Sequence, residues 1–84
     1  MEPLHVTELR LVLTQRELDV LTQMVEGHSN IDIGKVLFLS EKTVKGHAAS
    51  AMRKLGANNR TQAVVTALRL GIVPLFPESE EEAG

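Results

Sequence analysis

Four helix-start signals and three glycine stops punctuate these 84 residues at short intervals, and that punctuation limits the fold more than any other feature. Thr14 and Glu17 form a Thr-x-x-Glu capping box, in which each side chain accepts the other residue's backbone N–H, with Leu13 and Leu18 at the positions of a hydrophobic staple. A helix therefore starts near Gln15, faces Leu18, Leu21 and Val25 inward, and is closed by Gly27. Ser29 with Asp32 caps a second helix, Ser40 a third, and Asn59 with Gln62 a fourth, while Gly56 and Gly71 stand where left-handed C-terminal caps belong. Local signals and hydrophobic pattern agree at each boundary, which predicts an all-α, compact four-helix domain.

The third of these segments, Ser40 to Leu55, asks for two different environments. Val44, Ala48, Ala51 and Leu55 recur at helical spacing and make one narrow, small, apolar side. On a helical wheel of about 100 degrees per residue, Lys42, Gly46, Ala49, Ser50 and Arg53 fall opposite, with Lys45 on one shoulder and Thr43, His47 and Lys54 on the other. That outer surface holds no carboxylate beyond its first turn. Just before it, Ile31 to Leu37 forms a short helical pattern through Ile33, Val36 and Leu37, and only Phe38 and Leu39 separate it from Ser40. Two short helices joined by a tight turn are a helix-turn-helix. A basic helix entered in this way suits the DNA major groove, which admits one helix and is rimmed by phosphates. Read alone, the stretch also fits a solvated amphipathic helix.

The formal charge of −2 is unevenly divided. Residues 14–71 hold eight Lys and Arg against five Asp and Glu, a balance of +3, and the two ends carry −5. Phosphate binding depends on potential within a Debye length of about 8 Å, so a basic patch works on a chain of acidic average. No cysteine is present, which excludes disulfides and thiolate metal sites. No apolar run reaches membrane-spanning length, and nothing resembles a secretory leader. His5, His28 and His47 lie far apart without a shared spacing motif, and no glycine-rich phosphate loop accompanies them. Neither an enzyme nor a metal site is expected, and no cofactor.

The chain resembles the LuxR-type (GerE-like, or FixJ/NarL-like) DNA-binding domain of bacterial transcription regulators. The resemblance is carried by Leu13-Thr14-Gln15-Arg16-Glu17-Leu18-Asp19-Val20-Leu21, by Glu26-Gly27-His28-Ser29-Asn30 with Ile33, and by Leu39-Ser40-Glu41-Lys42-Thr43-Val44-Lys45 with His47. It closes on Arg53-Lys54-Leu55-Gly56 and Asn59-Arg60-Thr61-Gln62-Ala63-Val64. It implies a four-helix domain whose third helix enters the major groove and whose fourth pairs protomers. Members of the family often carry longer polar side chains where this chain has Gly46 and Ala49, and here both positions are nearly bare. Wheel and resemblance together nominate Lys42, Thr43, Lys45, Gly46, His47, Ala49, Ser50, Arg53 and Lys54 for DNA contact, with Asn30 and Arg60. Lys45 is the candidate base reader, and Thr43, His47 and Lys54 are candidates for phosphate contacts.

The fourth helix, expected over Thr61 to Leu70, carries more apolar surface than one core face requires. Ala63, Ala67 and Leu70 define one side, whereas Val65 and Leu68 lie well round from it, with Val64 between. Either the domain wraps this helix on two sides, or Val65 and Leu68, with Arg69, form a self-complementary dimer patch, which the resemblance supports. Residues 1–13 read as an arm or linker whose periodicity does not decide between extended and helical, residues 14–73 as the helix-turn-helix domain, and residues 74–84 as an acidic solvated tail. The expected partners are double-stranded DNA, a second copy of the chain on DNA, and RNA polymerase, in a bacterial, cytoplasmic, nucleoid-associated setting. The length leaves room for a stand-alone regulator or the output piece of a longer response regulator. The competing class is an interaction module that keeps the fold but not DNA binding.

Overall fold

A computed structural model describes residue 8 and residues 11–73. They contain α1 (Gln15–Val25), α2 (Asn30–Leu37), α3 (Glu41–Leu55) and α4 (Arg60–Arg69), and the described residues include no strand. This is the expected all-α, four-helix domain, with α2 and α3 as the helix-turn-helix. Of the arm, Glu8, Leu11 and Val12 are helical; the acidic tail, residues 74–84, lies outside the described residues.

Each helix begins where a side-chain oxygen satisfies the backbone N–H groups that a first turn leaves without partners. Thr14 Oγ1 accepts from Glu17 N–H at 3.1 Å while the Glu17 carboxylate accepts from Thr14 N–H at 2.8 Å, completing the capping box. Ser29 accepts from Asp32 N–H at 3.2 Å, Ser40 from Thr43 N–H at 3.1 Å, and Asn59 from Gln62 N–H at 2.8 Å. The Gln62 carboxamide oxygen reaches back to Asn58 N–H.

At the other ends, paired carbonyl bonds reverse the chain. Gly27 N–H and His28 N–H donate to the Met24 and Gln23 carbonyls, and Gly71 N–H and Ile72 N–H to those of Leu68 and Ala67. Gly56 and Ala57 close α3 in the same way. These turns need a left-handed residue, supplied by glycine in each case; α2 instead uses Phe38, at φ 60° and 92% exposed. Leu39 N–H then donates to the Gly34 carbonyl at 2.8 Å. The turn comes so close that a Cβ on Gly34 would collide with the Leu39 carbonyl oxygen.

The core lies between the four helices. Val20, Leu21 and Met24 of α1, Ile33 of α2, Val44, Ala48 and Ala51 of α3, and Ala63 and Ala67 of α4 are buried, closed off by Leu13, Ile72 and Val73. Leu18, Val25 and Leu55 pack half-buried against it, as does Leu37. Burial in α1 is centred on Val20, Leu21 and Met24, so its inner face is turned from the one drawn through Leu18, Leu21 and Val25. Leu70 departs from expectation. Helix α4 stops at Arg69, the Gly71 turn redirects the chain, and Leu70 is left 40% exposed while Ile72 and Val73 take the core positions.

Candidate nucleic-acid interface

Because the small residues of α3 point inward, its other side is left to solvent along most of its length. Lys42, Thr43, Lys45, Gly46, Ala49 and Arg53 are exposed, and His47 is half-buried on a shoulder. Among the described residues none of Lys42, Lys45 and Arg53 is ion-paired, whereas Arg16 pairs with Asp19 and Lys54 with Glu17. Among the described residues no carboxylate pairs with the positive charge of the outer face, and Glu41 in the first turn is the one carboxylate of α3. Among the described residues a Cβ on Gly46 would meet no atom within 4 Å, so packing between them does not require glycine there.

Two residues nominated for DNA contact are turned the other way. Ser50 Oγ donates to Glu17 Oε2 at 2.5 Å, and Lys54 Nζ donates to Glu17 Oε1 and Oε2 at 2.9 and 3.2 Å and to the Val12 carbonyl at 2.7 Å. The wheel placed Ser50 and Lys54 on or beside the outer surface, but α1 packs along that shoulder of α3 and presents a carboxylate that is 3% exposed. A buried carboxylate is costly unless donors surround it, and these two side chains join Thr14 N–H as its donors. Burial raises the Glu17 carboxyl pKa, but hydrogen bonds from Lys54, Ser50 and Thr14 N–H outweigh that effect and lower it from 4.5 to about 2. Glu17 therefore anchors the back of α3 while its front stays open.

Asn30 and Arg60 meet at the start of α2 and α4. The Arg60 guanidinium donates to Asn30 Oδ1 at 2.9 Å and to the His28 carbonyl, tying the first turn of α4 to the turn after α1. A guanidinium has five N–H donors, so these bonds leave capacity for an anion. With Met24, Lys45, Ala48, Ala49 and Met52 the pair lines an open cavity of about 310 Å³ beside α3, whose walls combine apolar side chains with the cations of Lys45 and Arg60. On α4, Val65 is 44% exposed, Arg69 is exposed, and Leu68 is half-buried, so the apolar shoulder noted in the sequence is a surface feature at Val65 and only partly one at Leu68.

Beyond its cap, Glu17 has a second role that is not expected from the sequence analysis above, as acceptor for Ser50 and Lys54. The signal was present: Glu17 falls at i−3, i−4 and i−7 from Val20, Leu21 and Met24, which puts it on the buried stripe of α1. Phe38 in the left-handed region is likewise unexpected, since no turn rule asks for phenylalanine there.

Residues 11–67 match the family described as bacterial regulatory proteins, luxR family. The spore germination protein GerE of Bacillus subtilis is 45% identical over 64 residues, covering 76% of this chain and 86% of that protein. The transcriptional regulatory protein DegU of Brevibacillus brevis is 46% identical over 72 residues, covering 86% of this chain. This chain spans 28% of the length of DegU and 32% of that of the Bacillus subtilis transcriptional regulatory protein YxjL. A solved structure titled as that of the transcription factor GerE superposes with a TM-score of 0.70 at 41% identity, covering 76% of this chain and 96% of that one.

Proposed function

Since the chain belongs to the luxR family of bacterial regulatory proteins, we propose that it binds a specific double-stranded DNA sequence, as a stand-alone transcription regulator or the output piece of a longer one. The domain is of a transcription-factor type and not an enzyme. The observation that carries the DNA reading is the outer face of α3, where Lys42, Lys45 and Arg53 stand exposed without ion-pair partners among the described residues.

In this reading α3 lies in the major groove. Lys45 reads a base edge, Lys42 and Arg53 flank it, and Gly46 and Ala49 face the bases at close range. Thr43, His47, Asn30 and Arg60 position the helix against phosphates, contacts that carry no sequence information. Ser50 and Lys54 are assigned to the Glu17 anchor. Two copies pair through Val65, Leu68 and Arg69 on DNA, where a paired site holds the protomers at high effective concentration. A two-fold pair would set two copies of α3 on half-sites roughly 34 to 36 Å apart. RNA polymerase is a further partner of a bound regulator, and the setting is bacterial cytoplasm at the nucleoid; among the described residues no helix is long and apolar enough to cross a membrane.

Titration of duplex DNA in a mobility assay at several salt concentrations tests the proposal. Each neutralised phosphate contributes a slope of about −0.9 in log affinity against log salt, so retarded complexes that weaken steeply with salt are expected. No complex at low salt would favour the interaction module.

A further inference from the structure

Positions 46 and 49 are the two groove-facing sites of α3 that offer no polar group, and both are exposed. Among the described residues nothing fills the space beside Gly46. Ala49 lines a cavity with the half-buried Met52, and Lys45 lines the same cavity. A surface of this kind cannot donate to or accept from a base edge. It can exclude water from a methyl group, and the major groove displays one, the 5-methyl of thymine. With no side chain at Gly46, a base pair comes close to the helix backbone, and the methyl group of Ala49, one turn further along, meets that base pair or its neighbour.

Resting on the DNA reading above, we propose that Ala49 is a specificity-determining residue that selects thymine in each half-site through its 5-methyl group, on the apolar surface that Gly46 leaves accessible and Met52 extends. Lys45 one turn before Ala49 supplies the polar half of the readout, a donor for guanine O6 and N7, so that a half-site combines a guanine with a nearby thymine.

The test begins by selecting binding sites for the whole chain from a random duplex library and then replacing each enriched thymine by uracil, which removes only the methyl group. One thymine per half-site is expected to bind about fourfold more weakly as uracil, the effect of one methylene-sized group withdrawn from contact. In Ala49→Gly the thymine-to-uracil ratio at that position should fall to near one. The ratio is taken within one protein, so a change in the variant's stability cancels. The same fourfold ratio in Ala49→Gly would place the methyl effect in DNA shape or in another residue and overturn the assignment, as would a selected site with no uracil-sensitive thymine. Failure to select any site would overturn the DNA reading itself.

Discussion

Lys54 of α3 holds Glu17 of α1 at 2.9 Å across 37 residues of sequence, and the same ammonium reaches the Val12 carbonyl at 2.7 Å. One carboxylate thereby caps its own helix, through Thr14, and fixes the rear of the helix proposed to read DNA. The anchor makes α3 depend on α1 for its placement, and it has a measurable signature in acid.

Lowering the Glu17 pKa from 4.5 to about 2 is a stabilising contribution present in full above the unfolded value and lost as pH falls through the folded one. At about 1.36 kcal/mol per pK unit it amounts to roughly 3 kcal/mol at neutral pH. Glu17→Gln should therefore be less stable than the wild type at pH 7, with the gap closing between about pH 4.5 and 2. Denaturant melts of both proteins across that range check the sign; a gap that stays constant with pH would separate the loss from the carboxylate's charge.

Replacing Lys45 by Ala should weaken specific binding by about 1 to 3 kcal/mol if the side chain makes a bidentate base contact. Competition between the selected site and random duplex, compared in the two proteins, is the readout. Equal affinity in the variant would remove Lys45 from the site.

Gly46→Ala should raise the melting temperature, because the new methyl meets open space and glycine within a helix costs about 0.5 to 1 kcal/mol relative to alanine. For a domain of this size that corresponds to several degrees, up to about 8 °C per kcal/mol. DNA affinity should fall at the same time. A thermal scan with a parallel binding titration checks both, and unchanged affinity would show that the glycine does not serve close approach.

Val65 is the more exposed member of the proposed pairing surface. Val65→Gln should leave folding and binding to a single half-site unchanged, since it adds neither charge nor a buried polar group, yet reduce cooperativity on paired half-sites. The patch is small against the roughly 1,200 Å² of a stable complex, so the free chain should sediment as a monomer or in weak exchange. Equal cooperativity in variant and wild type would exclude Val65 from the contact.

Phe38 takes the left-handed position that glycine holds at the other three helix ends, and its ring is 92% exposed. Phe38→Gly should hold or raise stability, by up to about 1 kcal/mol, because the backbone penalty of a side chain there is relieved and little packing is lost. A marked drop in melting temperature would mean that the ring contributes to the fold after all.

The helix starts were legible because a cap is a local event: Thr14, Ser29, Ser40 and Asn59 each bond an N–H only three residues on. The inner face of α3 was legible because Val44, Ala48 and Ala51 repeat at helical spacing, and all three are buried. What lay hidden depends on partners far along the chain. A wheel ranks Ser50 and Lys54 by angle alone, and only the packing of α1 beside them shows that they face a carboxylate 33 and 37 residues earlier. Leu70 was misjudged for a similar reason, since one residue after it the chain turns and periodicity ceases to apply.

The most direct measurement is an amide chemical-shift map of the isotope-labelled chain, titrated with the duplex selected from a random library. The largest changes are expected at Lys42, Thr43, Lys45, Gly46, Ala49 and Arg53, smaller ones at Asn30 and Arg60, and little at Leu21 or Met24 in the buried face of α1. Changes gathered instead on Val65, Leu68 and Arg69, with the outer face of α3 unmoved, would contradict that expectation.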